Sequence, residues 1–212
     1  MGSIKDHAAR IGKRRAAAIS SSMSCLWRRY YRIMSTFEIE PLSSPRLRLE
    51  AVSTHHADEA AVTFADPELH EFIGGAPSAA AELAARYALL ERGRSADGTQ
   101  LWFNWMLRDT TSGRLVGTVQ ATVEGSRGVD AHASLAWVVG TPFQRKGYAG
   151  EAARVVAAWL REGGVDTMQA FVHPHNEASA AIARSLGLKR TTTVYNGEFL
   201  WTDFGGGADG VA

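Results

Sequence analysis

The chain has 212 residues, 45% hydrophobic and 21% charged, for which one domain with one sizeable core is the natural count. No run approaches the roughly 18 uncharged apolar residues of a membrane span, and the single Cys25 excludes an internal disulfide and a cysteine metal cluster, in keeping with a reducing, cytoplasmic setting. The formal charge of +1 conceals an asymmetry: residues 1–33 hold eight of the 23 Lys and Arg and one acid, Asp6, which leaves 15 basic against 21 acidic residues from Met34 onward.

Residues 1–33 are rich in Arg, Ala and Ser and lack the uninterrupted apolar stretch of a secretory signal. Organelle targeting, a basic arm for nucleic acid or a membrane surface, and an extension without a role all fit this composition. Met23 or Met34 is an alternative start. We favour the last two readings, a disordered leader followed by a folded domain over 34–204.

The alternation in Ser44–Val52 predicts the opening strand. Helical patterning then covers Ala57–Phe64, a short piece after Asp66-Pro67, and Ser78–Leu90 with Ser78 as its N-cap. Gln100–Arg108 and Leu115–Val123 read as two strands joined by a turn over 109–113, and Gly125–Gly128 opens the next loop. The central strand ends at Val138-Val139, and a helix runs from about Gly147 through Leu160 to Gly163-Gly164. Thr167–Val172 is the next strand, Asn176 caps a helix over Ala178–Leu186, and Thr191–Tyr195 and Glu198–Trp201 flank the hairpin turn Asn196-Gly197. Residues 205–212 read as a flexible tail.

The join between the central strand and the long helix carries chemistry. A helix beginning there exposes backbone N–H groups and the positive end of its dipole, and glycines keep side chains away, so the turn suits an anion. Arg145 and Lys146 add charge beside it. Neither a phosphate-loop motif nor a dinucleotide-binding glycine motif is present. Gln144-Arg145-Lys146-Gly147-Tyr148-Ala149 instead fits the Gln/Arg-x-x-Gly-x-Gly/Ala pattern of the GNAT acetyltransferases. Ser44-Pro45-Arg46-Leu47-Arg48-Leu49 resembles that family's opening strand, and Leu115-Val116-Gly117-Thr118-Val119 its third. Asn176-Glu177-Ala178-Ser179 followed by Leu186-Gly187-Leu188 resembles the second cofactor motif of the ribosomal-protein N-acetyltransferase branch.

The resemblance covers roughly residues 44–204. It implies an α/β GNAT fold: a mixed, mostly antiparallel central sheet splayed between its fourth and fifth strands, with helices on both faces. It also implies acetyl transfer from acetyl-CoA, as co-substrate, to a primary amine by direct attack. The acceptor would be a protein N-terminus or a small-molecule amine. On this reading the N–H groups from Gln144 through Arg145, Lys146, Gly147, Tyr148 and Ala149 to Gly150 hold the pyrophosphate. Val138 and Val139 pair with the pantetheine arm as though it were a strand, and Asn176 and Ser179 lie along the cofactor at the other lip.

The leaving thiolate needs a proton or a donor, and the position where many relatives carry a tyrosine is Ala183 here. Ser179 is therefore the candidate donor, its other reading being a first-turn serine that satisfies a backbone group. An alkyl amine near the reference pKa of about 10.4 must lose a proton before it attacks. Glu71 and His132 lead the candidate bases, ahead of His70, Ser134 and Glu124, and no base at all is a further alternative. His173 and His175 without a third ligand make a poor metal site, so no metal is expected. Trp102, Trp105, Trp137 and Trp159 read as core or cleft walls. A catalytically inactive acyl-CoA sensor is the alternative function, nucleic-acid binding is disfavoured by the acidic body, and a homodimer is left open.

Deleting residues 1–33 is expected to leave folding and acetyl transfer intact. Thermal melting and a thiol-release assay on the truncated chain check this.

Overall fold

The computed structural model describes residues 38–125 and 130–204. The leader 1–33, part of the loop after Gly125, and the tail 205–212 lie outside the described residues. Within them are strands β1 (Leu42–Ser43), β2 (Leu47–Ala51), β3 (Leu101–Asp109), β4 (Leu115–Glu124), β5 (His132–Val139), β6 (Thr167–Val172), β7 (Lys189–Tyr195) and β8 (Glu198–Thr202). The helices are α1 (Ala57–Thr63), α2 (His70–Ile73), α3 (Ala80–Leu90), α4 (Tyr148–Glu162) and α5 (Glu177–Ser185).

The strands form one sheet in the order β1-β2-β3-β4-β5-β6-β8-β7. Every neighbouring pair is antiparallel except β5 and β6, which run parallel. Alternation along β4 sorts the two faces: Val119, Ala121 and Val123 are buried, while Thr118, Gln120 and Thr122 point the other way. The first face meets α4, whose residues Ala152, Ala153, Val156 and Leu160 recur at helical spacing and are buried. Trp159 of that helix stands edge-on to Phe103 and Trp105, with ring centres 5.0 and 5.2 Å apart. On the opposite face α1 and α3 cover only the β2–β4 side, where Ala57, Ala60, Leu83 and Tyr87 pack with Val52, Met106 and Leu115.

Charged groups tie that helical layer to the sheet. Arg108 reaches Glu50 at 3.0 Å and Glu59 at 3.0 Å, and Glu59 also accepts the Leu115 N–H at 2.7 Å. Burial pushes the Glu50 carboxyl up, but hydrogen bonds from Arg108, Arg48 and His56 outweigh it and hold Glu50 below the usual carboxylate range. His56 is buried, and its Nδ1 accepts from Ser53 N–H at 3.0 Å. That assignment leaves Nε2–H to donate to Glu50 at 3.2 Å.

Two sequence expectations change. Ser44–Arg46 is a turn between β1 and β2, not the start of a strand: Ser44 N–H closes it on the Leu47 carbonyl at 2.8 Å, and Pro45 has no N–H for a ladder. Ser78 does not cap α3. The cap position is Ala79, whose N–H is taken by Glu82 at 3.1 Å, three residues on. The hairpin at Asn196-Gly197 has both residues at positive φ, 51° and 83°, as its sequence predicts.

Trp105→Ala should cost about 3–5 kcal/mol, because it empties a fully buried site shared with Phe103 and Trp159. A fall in Tm of roughly 10 °C in thermal melting is the expected readout.

Candidate active site

The parallel pairing of β5 and β6 lasts three residue pairs, His132 with Thr167, Ala133 with Met168 and Ser134 with Gln169. Beyond Ser134 the strands part. Leu135–Val139 stay paired with β4 on one side, while Phe171 and Val172 pair with β8. A cavity of about 780 Å³ opens at the fork. Its floor includes Asn104, Gln120 and Ser134, its walls Tyr87, Val138, Ser179 and Glu198, and its rim the loop from Phe72 to Ser78. A backbone edge left open beside a cavity can accept another extended chain by ladder hydrogen bonds.

At the far end of β5 the chain turns through Thr141–Phe143 into α4. Arg145 adopts φ 61° and Gly147 φ 81°. Left-handed backbone costs a non-glycine residue about 1–2 kcal/mol, and here it bends the run of N–H groups into a concave donor surface. The first helical bond of α4 is Glu151 N–H to Gly147 carbonyl, at 3.0 Å. The N–H groups of Tyr148, Ala149 and Gly150 precede it and have no intrahelical acceptor. Such a helix start is an anion site. Lys146 and Arg114 lie 5.6 and 4.8 Å from the Phe143 ring centre and keep two cations beside the turn. Gln144 turns inward and donates its Nε2–H to the Val139 carbonyl at 3.1 Å.

A clamp from the opening strands fixes this turn. Arg46 grips Glu151 through Nε at 2.7 Å and Nη2 at 2.6 Å, and its Nη1 donates to the Lys146 carbonyl at 2.9 Å. Glu151 accepts as well from Ser44 Oγ at 2.6 Å and the Arg46 N–H at 3.1 Å. Burial raises the Glu151 carboxyl, yet these donors hold it below its ordinary value. The Arg46 guanidinium also covers the Tyr148 ring at 5.1 Å, and the Tyr148 hydroxyl donates to Asp109 at 2.6 Å. That bond, followed by donors from Ser112, lowers Asp109 to about 2. Asp109 is therefore anionic throughout the neutral range.

The other lip begins α5. Asn176 Oδ1 accepts the Ser179 N–H at 3.0 Å, a side-chain N-cap. Ser179 Oγ accepts from Trp137 Nε1–H at 3.2 Å across the fork. A hydroxyl that spends a lone pair on an indole keeps its O–H to donate elsewhere. Ala183 is fully buried and offers no hydroxyl.

The two leading candidate bases fall outside this group. Glu71 is exposed on α2 and does not line the cavity. His132 sits at the opposite end of β5 from the anion site and pairs with Glu124 at 3.2 Å. Four groups that do line the cavity received less weight or none: His70, Ser134, His173 and Glu198. His70 has Nδ1 and Nε2 at 3.3 and 3.2 Å from the carbonyls of Gly74 and Phe64. His173 Nδ1 accepts the His175 N–H at 3.3 Å, and the two imidazole rings lie 5.5 Å apart. Among the described residues, no three His, Cys, Asp or Glu are grouped to hold a metal ion, and no helix is long and apolar enough to cross a membrane.

The Acetyltransferase (GNAT) domain family model matches residues 46–189. A putative GnaT-family acetyltransferase from Bordetella pertussis is similar in structure, at 23% identity over 77% of this chain and 98% of that one, with a TM-score of 0.59. So is a ribosomal-protein-S5-alanine acetyltransferase from Vibrio fischeri, at 16% identity over 77% and 96%, with a TM-score of 0.62. A ribosomal L7/L12 alpha-N-protein acetyltransferase in complex with coenzyme A shares 15% identity over 77% and 97%, with a TM-score of 0.60. No curated protein matches the chain. The chain belongs to the GNAT acetyltransferase family, and the splayed sheet described above is the fold of that family.

Gly147→Val should abolish retention of coenzyme A, because a β-branched residue at φ 81° would unmake the turn. Arg46→Ala should raise the KM for acetyl-CoA about tenfold with a smaller effect on kcat. Calorimetry and initial rates, with circular dichroism as the folding control, check both.

Proposed function

We propose that the chain is an N-acetyltransferase that moves an acetyl group from acetyl-CoA to a primary amine by direct attack. The observation that carries this reading is the meeting of three features at one fork: an unpaired strand edge, an anion-binding helix start and the Ser179 hydroxyl. The residues present fit coenzyme A. The turn 144–150 would take the diphosphate, Val138 and Val139 the amides of the pantetheine arm, and Asn176 and Ser179 the other side of that arm.

In the reaction the amine nitrogen forms a bond to the thioester carbonyl carbon, the carbon–sulfur bond breaks, and the sulfur leaves as a thiolate. Ser179 O–H faces the cavity with its oxygen already fixed by Trp137, so it would donate to that thiolate. The amine must give up a proton. Both nitrogens of His70 face carbonyl oxygens, and a neutral His173 whose Nδ1 accepts an N–H carries its proton on Nε2. Neither offers a free basic nitrogen in its present hydrogen bonding. Glu198 is the one carboxylate on the cavity wall among the described residues, and we assign it the proton, directly or through water. No comparison supports the alternative of an inactive acyl-CoA sensor.

A thiol-release assay with acetyl-CoA and a panel of amines tests the reading, and cofactor binding without transfer to any amine would overturn it. Ser179→Ala should lower kcat about 10–100-fold with a smaller loss of acetyl-CoA affinity, and Glu198→Gln should lower kcat/KM for the amine by about 10²-fold.

A further inference from the structure

The cavity floor holds two carboxamides that the fold leaves without partners. Asn104 on β3 and Gln120 on β4 stand directly opposite one another in the strand register, and both line the cavity. Asn104 is only 6% exposed. Its carboxamide lines the cavity and is not sealed in the core, so a ligand there can give it a hydrogen bond. Among the described residues neither amide has one. Thr118 Oγ1 donates to the Trp105 carbonyl at 2.9 Å and Ser134 Oγ accepts from Gln169 at 2.8 Å, and neither bond involves the pair. Across from Gln120 the next strand carries Ala136, which leaves space above the pair.

Paired carboxamides offer two oxygens to accept and two NH₂ groups to donate, with no net charge. Their complement is a group that both donates and accepts while staying neutral, namely another amide. The fixed charges of the cavity agree. Among the described residues its wall has one carboxylate, Glu198, and one permanent cation, Arg86, which is a poor lining for a polycationic acceptor such as a polyamine. We propose that Asn104 and Gln120 form an amide-reading floor, and that the acceptor amine carries a carboxamide next to the reacting nitrogen. This inference rests on the acetyl-transfer reading above and specifies its acceptor. An amide of that kind belongs to a small amino amide or to the first peptide unit of a polypeptide.

The test compares alaninamide with 3-methylbutan-2-amine, an amine in which a hydrocarbon branch of nearly the same shape replaces the carboxamide, and with free alanine. Rates are referred to the neutral amine, since an α-amino group ionises well below an alkylamine. Wild-type kcat/KM should favour alaninamide over the branched amine by about 100-fold or more, as expected where a site is built to hydrogen-bond its substrate. Asn104→Leu and Gln120→Leu should each shrink that ratio at least about tenfold with the acetyl-CoA KM unchanged. Gln120 is exposed, so its variant carries the test if Asn104→Leu does not fold. A wild-type ratio near one, a ratio that survives both substitutions, or a preference for alanine through Arg86 would overturn the proposal while leaving acetyl transfer standing. No transfer to any amine would overturn both. A further arm with alanyl-alaninamide identifies the source: faster turnover than alaninamide supports a polypeptide, and equal or slower turnover supports a small amino amide.

Discussion

Two parallel strands that stay together for only three residue pairs are the constraint on which the site depends. A buried strand edge must satisfy its N–H and C=O groups, so a gap between β5 and β6 is tolerable only if something extended or water fills it. The same strand ends in a turn that begins α4, which puts an open ladder and a positive helix terminus within one short stretch of chain. The ligand such a place suits has an amide-bearing arm and a phosphate at one end. Coenzyme A has that shape.

Electrostatics around the turn leave its anionic side chains already paired. Glu151 and Asp109 both lie against the anion site, and both keep their carboxylates ionised. Each is already saturated by donors, Glu151 by Arg46 and Ser44, Asp109 by Tyr148 and Ser112. Their charge is spent on holding the turn to the β1–β2 corner and the β3–β4 turn. Arg145 and Lys146 stay outside these bonds among the described residues, next to the N–H groups of the helix start.

Much of this was legible in the residues alone because its causes are local. The period of the buried face on α4, the Asn176 cap and the Asn196-Gly197 turn are each set within a few positions, and the structure follows them closely. What escaped the sequence depends on contacts between distant segments. Arg46 and Glu151 are 105 residues apart, Trp137 and Ser179 42, and no spacing announces either pair. Glu71 and His132 were attractive as titratable side chains on the right elements, but Glu71 is not among the residues that line the cavity and His132 sits at the end of β5 away from α4. Glu198 follows a turn that the sequence reveals, although nothing in the turn says which cavity its neighbour lines. Ser78 looked like a cap by type, yet Glu82 supplied the bond from inside the helix.

The eight-stranded sheet ends in β1 on one side and β7 on the other. β1 is two residues long, too short to template a partner. β7 is exposed at nearly every position, starts with Lys189 and Arg190, and slips register against β8 between Arg190 and Val194. Charge and a local irregularity on a terminal strand discourage end-to-end sheet growth. The ladder opening that remains usable thus lies inside the sheet, at the fork, where access is limited to a chain thin enough to enter it. A fold with backbone hydrogen-bonding capacity to spare has in this way kept it for a ligand and denied it to aggregation.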